Sequence, residues 1–247
     1  MRRKTLKRMF YMIIAGVILY VAGVFFFSRS MSVMDTKEID LYYDLLTKHE
    51  RTSGKLIYDL GISEGSSLED AFKKLSAIFG FEGSPMMLTR TNQERPPAKI
   101  IDHGYGAIEI QLSKSIADRR EQINVLVHEL CHIYVWHLDQ SVFAKCDQEK
   151  LTDCMGVHLG LGVLILNGLT DDVFFLPGGE YESRSKFFGY LKPEEFGYIV
   201  ARFTTENNIR ENDVMNHLSP TGKKYFRIGL ENIKNKSEAA RASHLPK

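Results

Sequence analysis

Cysteine and net charge are both scarce in this chain. Its 247 residues include only three cysteines, and 32 basic residues nearly balance 31 acidic ones. An odd number of cysteines does not make a disulfide framework, although Cys146 and Cys154 could pair in an oxidising compartment. A net charge of +1, with five of the basic residues among the first eight, argues against a nucleic-acid partner. The sequence also shows no internal repeat and no low-complexity tract.

The N-terminal segment has the pattern of a membrane anchor. Residues 9–27 form an uncharged run of 19 residues between a basic cluster and Arg29. As a helix, this run would cross a hydrocarbon core of about 30 Å. A cleaved signal peptide would have a shorter apolar run and small residues at its cleavage site, and a buried core helix would leave the basic cluster unexplained. The excess of basic residues before the run predicts a cytoplasmic N-terminus and a domain outside the cytoplasm, periplasmic or extracellular.

The rest of the chain has the pattern of one α+β domain, mostly helical with a small sheet. We expect a basic flank at residues 1–8, the anchor at 9–27 and a globular domain at 35–240. Apolar periodicity predicts helices at residues 35–50, 68–79, 115–137, 149–166, 192–207 and 219–233. Alternation predicts short strands at residues 85–91, 99–101 and 106–112. The expectation for residues 167–190 is a long loop, and for the last dozen residues a frayed end.

The most informative motif is His-Glu-Leu-Cys-His at residues 128–132. A spacing of four on a helix places His128 and His132 on one face, so both imidazoles can reach one ion. Glu129 lies beside the first histidine and can act on a water bound to that ion. This HExxH arrangement is typical of zinc hydrolases, in which one helix carries two ligands and a general base. The alternative is a surface helix that carries two histidines by accident.

A third ligand is needed, because a catalytic zinc takes three protein ligands and leaves one position for water. Glu149 and Asp153 are also four residues apart, at the start of the next predicted helix. If that helix packs beside the first, Glu149 can complete the set and Asp153 can orient a histidine ligand. Asp153 as the ligand, or a charged first turn without any metal, are the alternatives. His158 and Cys131 fit a packed interior better than a metal site.

The residues HELCH followed by E-x-x-x-D resemble the gluzincin metallopeptidases, over roughly residues 100–166. The resemblance implies a zincin-like domain that binds one zinc ion through His128, His132 and Glu149. It further implies that Glu129 is the catalytic base and that Asp153 supports the first histidine. Residues 151–162 and the pair Gly197-Tyr198 are also similar to stretches in membrane-anchored bacterial proteins that are classed as metallopeptidases by their sequences alone. A metzincin is excluded, because its third histidine would stand at Leu138.

The function expected from this reading is metal-assisted hydrolysis of a peptide or protein substrate. Zinc would lower the pKa of a bound water, and Glu129 would take the proton and pass it to the leaving amine. Peptide hydrolysis follows from the resemblance, since the same residues would cleave other amides. Two alternatives remain: a tethered structural protein in which zinc only joins two helices, and a catalytically inactive zincin-like binding domain.

Two further expectations concern the substrate cleft. The strand at residues 106–112 precedes the motif helix, and in zincins such a strand is often the sheet edge along which an extended peptide lies. A plain edge strand or an inner strand is the alternative. An oxyanion could receive a hydrogen bond from the predicted loop or from the residue that precedes the last predicted helix. The candidates are Tyr181, Arg184, Tyr190 and His217.

Overall fold

The computed structural model describes residues 34–50, 52, 54–61, 66–93, 95–175, 181–186 and 189–243. For residues 170–175 and 181–186 it describes the backbone alone. The described part of the chain is an α+β structure in which helices predominate, as the sequence predicts. No helix within these residues is long and apolar enough to cross a membrane. The predicted anchor at residues 9–27 lies outside the described residues.

Nine helices and five strands are found in the described residues. The helices are α1 (Lys37–His49), α2 (Leu68–Ile78), α3 (Arg119–Trp136), α4 (Gln140–Phe143), α5 (Gln148–His158), α6 (Gly162–Asn167), α7 (Pro193–Glu206), α8 (Glu211–His217) and α9 (Pro220–Ser243). The strands are β1 (Met86–Thr91), β2 (Ala98–Asp102), β3 (Ile108–Ser113), β4 (Thr170–Phe175) and β5 (Tyr181–Lys186). Every predicted helix and strand therefore has a counterpart, although the predicted helix at residues 149–166 is divided in two and the last helix extends ten residues further than predicted.

The first three strands form one sheet in the order β1-β3-β2. β1 runs parallel to β3, with Met86 opposite Ile108, and β2 runs antiparallel to it, with Ile100 opposite Ile110. β3 is therefore the central strand, and its Ile110 is fully buried. Of the two alternatives for this strand, the inner strand is the one found, because both of its hydrogen-bonding edges are already used. β1 and β2 are the edges of this sheet.

Helix α5 lies at the centre of the helical part of the fold. It contacts α1, α3, α6 and α7, and every residue from Leu151 to His158 is buried. Helix α3 contacts α2, α5, α6 and strand β2, so it lies between the sheet and α5. The side chain of Asp118 caps α3 by accepting hydrogen bonds from the backbone N–H groups of Arg120 and Glu121. This cap explains why the helix begins at Arg119 and not near Ser115.

The predicted helix at residues 149–166 is two helices, because the chain turns at Gly160. Gly160 has φ +87°, and a Cβ atom there would lie 2.2 Å from the backbone oxygen of Lys55. Its own carbonyl oxygen accepts a hydrogen bond from the backbone N–H of Ile57, at 2.8 Å. The residues that follow Gly54 therefore pass directly over the break between α5 and α6.

Three other expectations about the C-terminal half are wrong. Within the region predicted as a loop, β4 and β5 form an antiparallel pair, with Thr170 opposite Lys186. His217, predicted in a loop, is the last residue of helix α8. The predicted frayed end belongs largely to α9, which continues to Ser243 through a sequence rich in alanine, a strong helix former.

Candidate metal centre

Helix α3 places both motif histidines on the face that packs against α5. Their Nε2 atoms lie 3.0 Å apart, and the two rings are perpendicular. The neighbouring residues Leu130 and Cys131 are fully buried, and the same helix also carries the buried Val127. The histidines are therefore attached to a helix that the interior of the protein holds in place.

Glu149 comes to the same point from the first turn of α5. Its Oε2 atom lies 3.0 Å from Nε2 of His132 and 3.4 Å from Nε2 of His128. That oxygen is buried, and none of its contacts in the described structure has hydrogen-bond geometry. The side chain of Asp147 caps α5 at the backbone N–H groups of Glu149 and Lys150, which fixes the direction in which this turn starts.

Asp153 contacts His128 at Nδ1, the ring nitrogen on the side away from Glu149. Its Oδ1 atom accepts a hydrogen bond from Nδ1 of His128 at 2.8 Å. Its Oδ2 atom accepts two backbone N–H bonds, from Tyr190 at 2.6 Å and from Leu191 at 2.9 Å. The carboxylate is nearly inaccessible to solvent, and its two oxygens join α3 to the segment before α7. Because Nδ1 of His128 donates to Asp153, Nε2 is the ring atom that faces Glu149.

Thr152 is a site residue that the sequence analysis missed. Its hydroxyl lies 3.2 Å from Nδ1 of His132 and donates a hydrogen bond to the backbone oxygen of Gln148 at 2.7 Å. The side chain is fully buried. Its position directly before Asp153 was a usable signal, since adjacent residues of a buried helix can reach two neighbouring ligands.

The two histidines differ in their electrostatic environment. Burial opposes the charged form of His128, but contacts with Asp153 and Glu149 outweigh it and raise the pKa of His128 to about 10. Burial and the nearby charge of His128 lower the pKa of His132. The contact with His128 lowers the pKa of Glu149, so this group is an anion. Both rings therefore contact the Glu149 carboxylate: His128, whose other nitrogen is bound by the Asp153 carboxylate, and His132, whose other nitrogen lies beside the Thr152 hydroxyl.

Glu129 is mostly buried beside the cluster but is not one of its three members. Burial raises the pKa of Glu129 to about 7; the positive charge of His128 opposes this shift and the negative charge of Glu149 adds to it. Among the described residues, no side chain forms a hydrogen bond with its carboxylate. A carboxyl group with a pKa near neutrality can both take up and release a proton under ordinary conditions.

The other candidates are distributed as follows. The ring of Tyr190 stacks on that of His128, with centroids 6.1 Å apart, whereas the side chains of Tyr181 and Arg184 lie outside the described residues. The ring of His217 stacks on Tyr58 and not on a site residue. His158 is buried within the helical core.

The three cysteines lie apart from the cluster's ligand atoms. All of them are free thiols, so Cys146 and Cys154 do not pair in this structure. Cys131 and Cys154 are fully buried, and burial raises the pKa of each thiol. Both are therefore buried thiols of the hydrophobic core, as their positions in the sequence indicate.

The chain was compared with protein families, curated proteins and solved structures. No family model matches it, and no curated protein or solved structure does.

The donor set fits a divalent transition metal. His128, His132 and Glu149 are the one group of histidine, cysteine and acidic residues in the described chain whose ligand atoms are close enough to share an ion. Two imidazole nitrogens with one carboxylate oxygen suit zinc. The buried Oε2 of Glu149, which has no well-formed hydrogen bond, is the kind of atom that a cation would satisfy.

Proposed function

We propose that this chain is a zinc-dependent hydrolase that acts on peptide bonds. The observation that carries the proposal is the convergence of His128, His132 and Glu149 beside Glu129, a fourth acidic group that is not part of the ligand set. A purely structural zinc prefers four protein ligands and has no use for such a base. Three ligands with an adjacent proton acceptor fit a catalytic site better.

The residues have distinct roles in this proposal. The three clustered side chains hold the ion, and Asp153 orients the ring of His128. Bound zinc would supply Lewis acidity toward a water molecule and a carbonyl group. Glu129 would take a proton from the water and deliver it to the leaving amine. The pKa of about 7 suits both halves of this transfer near neutral pH.

The free edge of β2 supports a peptide as the substrate. Backbone hydrogen bonds join Pro97 to Ser113 and His103 to Ala107, so the odd-numbered residues of β2 face β3. The N–H and C=O groups of Ile100 therefore point away from the sheet. Within the described residues β2 has no strand partner on that side, and it contacts α3. An extended chain could pair there without regard to its side chains.

The proposal includes a zincin-like domain of the gluzincin type and a membrane anchor. The residues in favour of the first are the HELCH and E-x-x-x-D motifs, which lie on two packed helices. The anchor rests on the uncharged run at residues 9–27 and its basic flank. The natural substrates would then be peptides or proteins outside the cytoplasm.

The first test is the metal content of the full chain after dialysis, by elemental analysis. We expect about one zinc per chain, and strong loss of zinc in Glu149→Ala, because the variant keeps only two ligands. Glu69→Ala is the matched control, since Glu69 is also the second residue of a helix but is exposed on α2. It should keep the zinc. A folded, zinc-treated wild type without bound metal would reject the proposed site.

The second test separates an enzyme from an inactive binding domain. Glu129→Gln removes the base and leaves the three ligands, so zinc content should be unchanged. Cleavage of a mixed peptide library, followed by mass spectrometry, should fall by about 10²–10⁴-fold. If zinc-loaded wild type cleaves no better than this variant, the domain binds or supports partners and does not hydrolyse them.

A further inference from the structure

Thr152 lies between the second histidine and the backbone of its own helix. Its hydroxyl has one hydrogen, and the carbonyl oxygen of Gln148, four residues earlier and 2.7 Å away, accepts it. This bond to the preceding turn is a common one for threonine in a helix, and the branched side chain has few other rotamers. The full burial of Thr152 leaves no water to compete for the hydrogen.

With its hydrogen engaged, the hydroxyl can only accept from its second neighbour. That neighbour is Nδ1 of His132, at 3.2 Å. An acceptor at this position requires a hydrogen on Nδ1, and a neutral imidazole carries only one N–H hydrogen. Nε2 of His132 must then have a free lone pair, and this is the atom that lies 3.0 Å from Oε2 of Glu149.

We propose that Thr152 is a positioning residue that fixes the Nδ1–H tautomer of His132 and turns its Nε2 lone pair toward the metal position. The inference rests on the proposed metal site. It gives each histidine ligand an orienting partner on α5, since Asp153 holds His128 and the adjacent Thr152 holds His132. Without the hydroxyl, the tautomer with hydrogen on Nε2 would block that ligand position.

The test compares two substitutions of the same residue in the full chain. Thr152→Val has nearly the same shape but no hydroxyl, whereas Thr152→Ser keeps the hydroxyl and is the control. Zinc affinity is measured by competition with a chromophoric chelator. We expect Thr152→Val to bind zinc about 10–100-fold more weakly and Thr152→Ser to stay close to wild type. Thermal unfolding of the metal-free proteins shows whether either change acts through general stability.

A second readout reports the tautomer itself. Ring ¹⁵N chemical shifts of His132, assigned with His132→Gln, distinguish hydrogen on Nδ1 from hydrogen on Nε2. Metal-free wild type and Thr152→Ser should show the Nδ1–H form, and Thr152→Val should show a mixture. A wild-type spectrum with hydrogen on Nε2 overturns the proposal even if the valine variant fails to fold.

The two proposals fail in different ways. Wild type that binds no zinc but shows the Nδ1–H form would reject the metal site and retain only the control of the His132 tautomer by Thr152. Wild type and Thr152→Val that bind zinc equally, with the same ring spectrum, would retain the metal site and reject Thr152.

Discussion

Each histidine of the site is held by a partner on α5. A carboxylate holds His128, whose pKa is raised, and a hydroxyl holds His132, whose pKa is lowered. The base, Glu129, has no comparable partner and owes its raised pKa to burial first. The residues proposed to orient the histidines, Asp153 and Thr152, therefore form hydrogen bonds, whereas the side chain of the proposed base forms none within the described residues.

His158 shows how burial affects the pKa of a histidine outside the proposed metal site. Its ring is fully buried near Tyr43, and neither ring nitrogen has a well-formed hydrogen bond within the described structure. Burial lowers the pKa of His158 below the ordinary 6.5, and a backbone contact with Glu50 opposes this without reversing it. The unfolded chain therefore binds the proton more readily, and the free energy of unfolding should decrease as the pH falls below 6.5.

The predicted measurement is urea unfolding between neutral and mildly acidic pH. His158→Leu should lose less stability on acidification than wild type, because it removes the group that the fold keeps neutral. His49→Leu, at an exposed histidine of α1, should follow the wild-type curve. Identical curves for wild type and His158→Leu would show that other groups cause the acid sensitivity.

The packing of α7 against α9 depends on two glycines. A Cβ atom on Gly197 would lie 2.1 Å from the backbone oxygen of Tyr225, and one on Gly229 would lie 2.2 Å from the backbone oxygen of Gly197. Both atoms belong to helix backbones, which cannot rotate aside as a side chain can. The two helices therefore touch backbone to backbone at this crossing.

Gly229→Ala should destabilise the protein even though alanine favours helices. Alanine contributes about 1 kcal/mol of helix propensity. The helices must move apart, and overpacking of this kind costs about 1–3 kcal/mol, occasionally more. We expect a net loss in the free energy of unfolding, measured by urea denaturation. Asn235→Ala, exposed on the same helix, should change it by about 0.5 kcal/mol or less. A Gly229→Ala variant as stable as wild type would contradict the tight crossing.

Elements with a strong local signal were predictable from sequence, and those that depend on distant contacts were not. The motif helix and α5 have apolar periodicity and caps, so their existence and type were evident. The break at Gly160 depends on the approach of Lys55, about a hundred residues away in sequence. Strand β4 begins Thr-Asp-Asp. These polar residues are typical of a loop, so the sequence does not indicate that β4 pairs with β5.

The residues of the site also differ in whether a local sequence signal or a distant contact reveals them. HELCH and the pair Glu149 and Asp153 stand out by spacing alone, and the structure brings all of them together. Thr152 has no spacing motif of its own. Its one signal in the sequence is its position directly before Asp153, and its role depends on the packing of α5 against α3. The sequence leaves open whether β3 is an edge or an inner strand, because sequence order does not reveal that β1 pairs with it in parallel.

For the whole molecule, a bound ion would join two separate helices. His128 and His132 lie on α3 and Glu149 on α5, so the unfolded chain has no formed site. Zinc should therefore stabilise the folded state. At a free concentration 100 times the dissociation constant the gain is about 2.7 kcal/mol, or roughly 5–10 °C in Tm for a chain of this size.

Thermal scans with excess chelator and with excess zinc measure this effect. Wild type should melt at a higher temperature with zinc, and Glu149→Ala should show little change. Glu69→Ala again serves as the control and should respond like wild type. Equal shifts in wild type and Glu149→Ala would mean that the stabilising ion binds elsewhere.

The way in which Asp153 holds the segment before α7 has a consequence for how the site can evolve. Its Oδ2 atom accepts hydrogen bonds from the main chain at Tyr190 and Leu191, and not from their side chains. Every amino acid except proline supplies that N–H group. The ring of Tyr190 is exposed and stacks on His128. Natural substitutions at position 190 can therefore change the surface over the cluster, while the backbone hydrogen bond to Asp153 is retained.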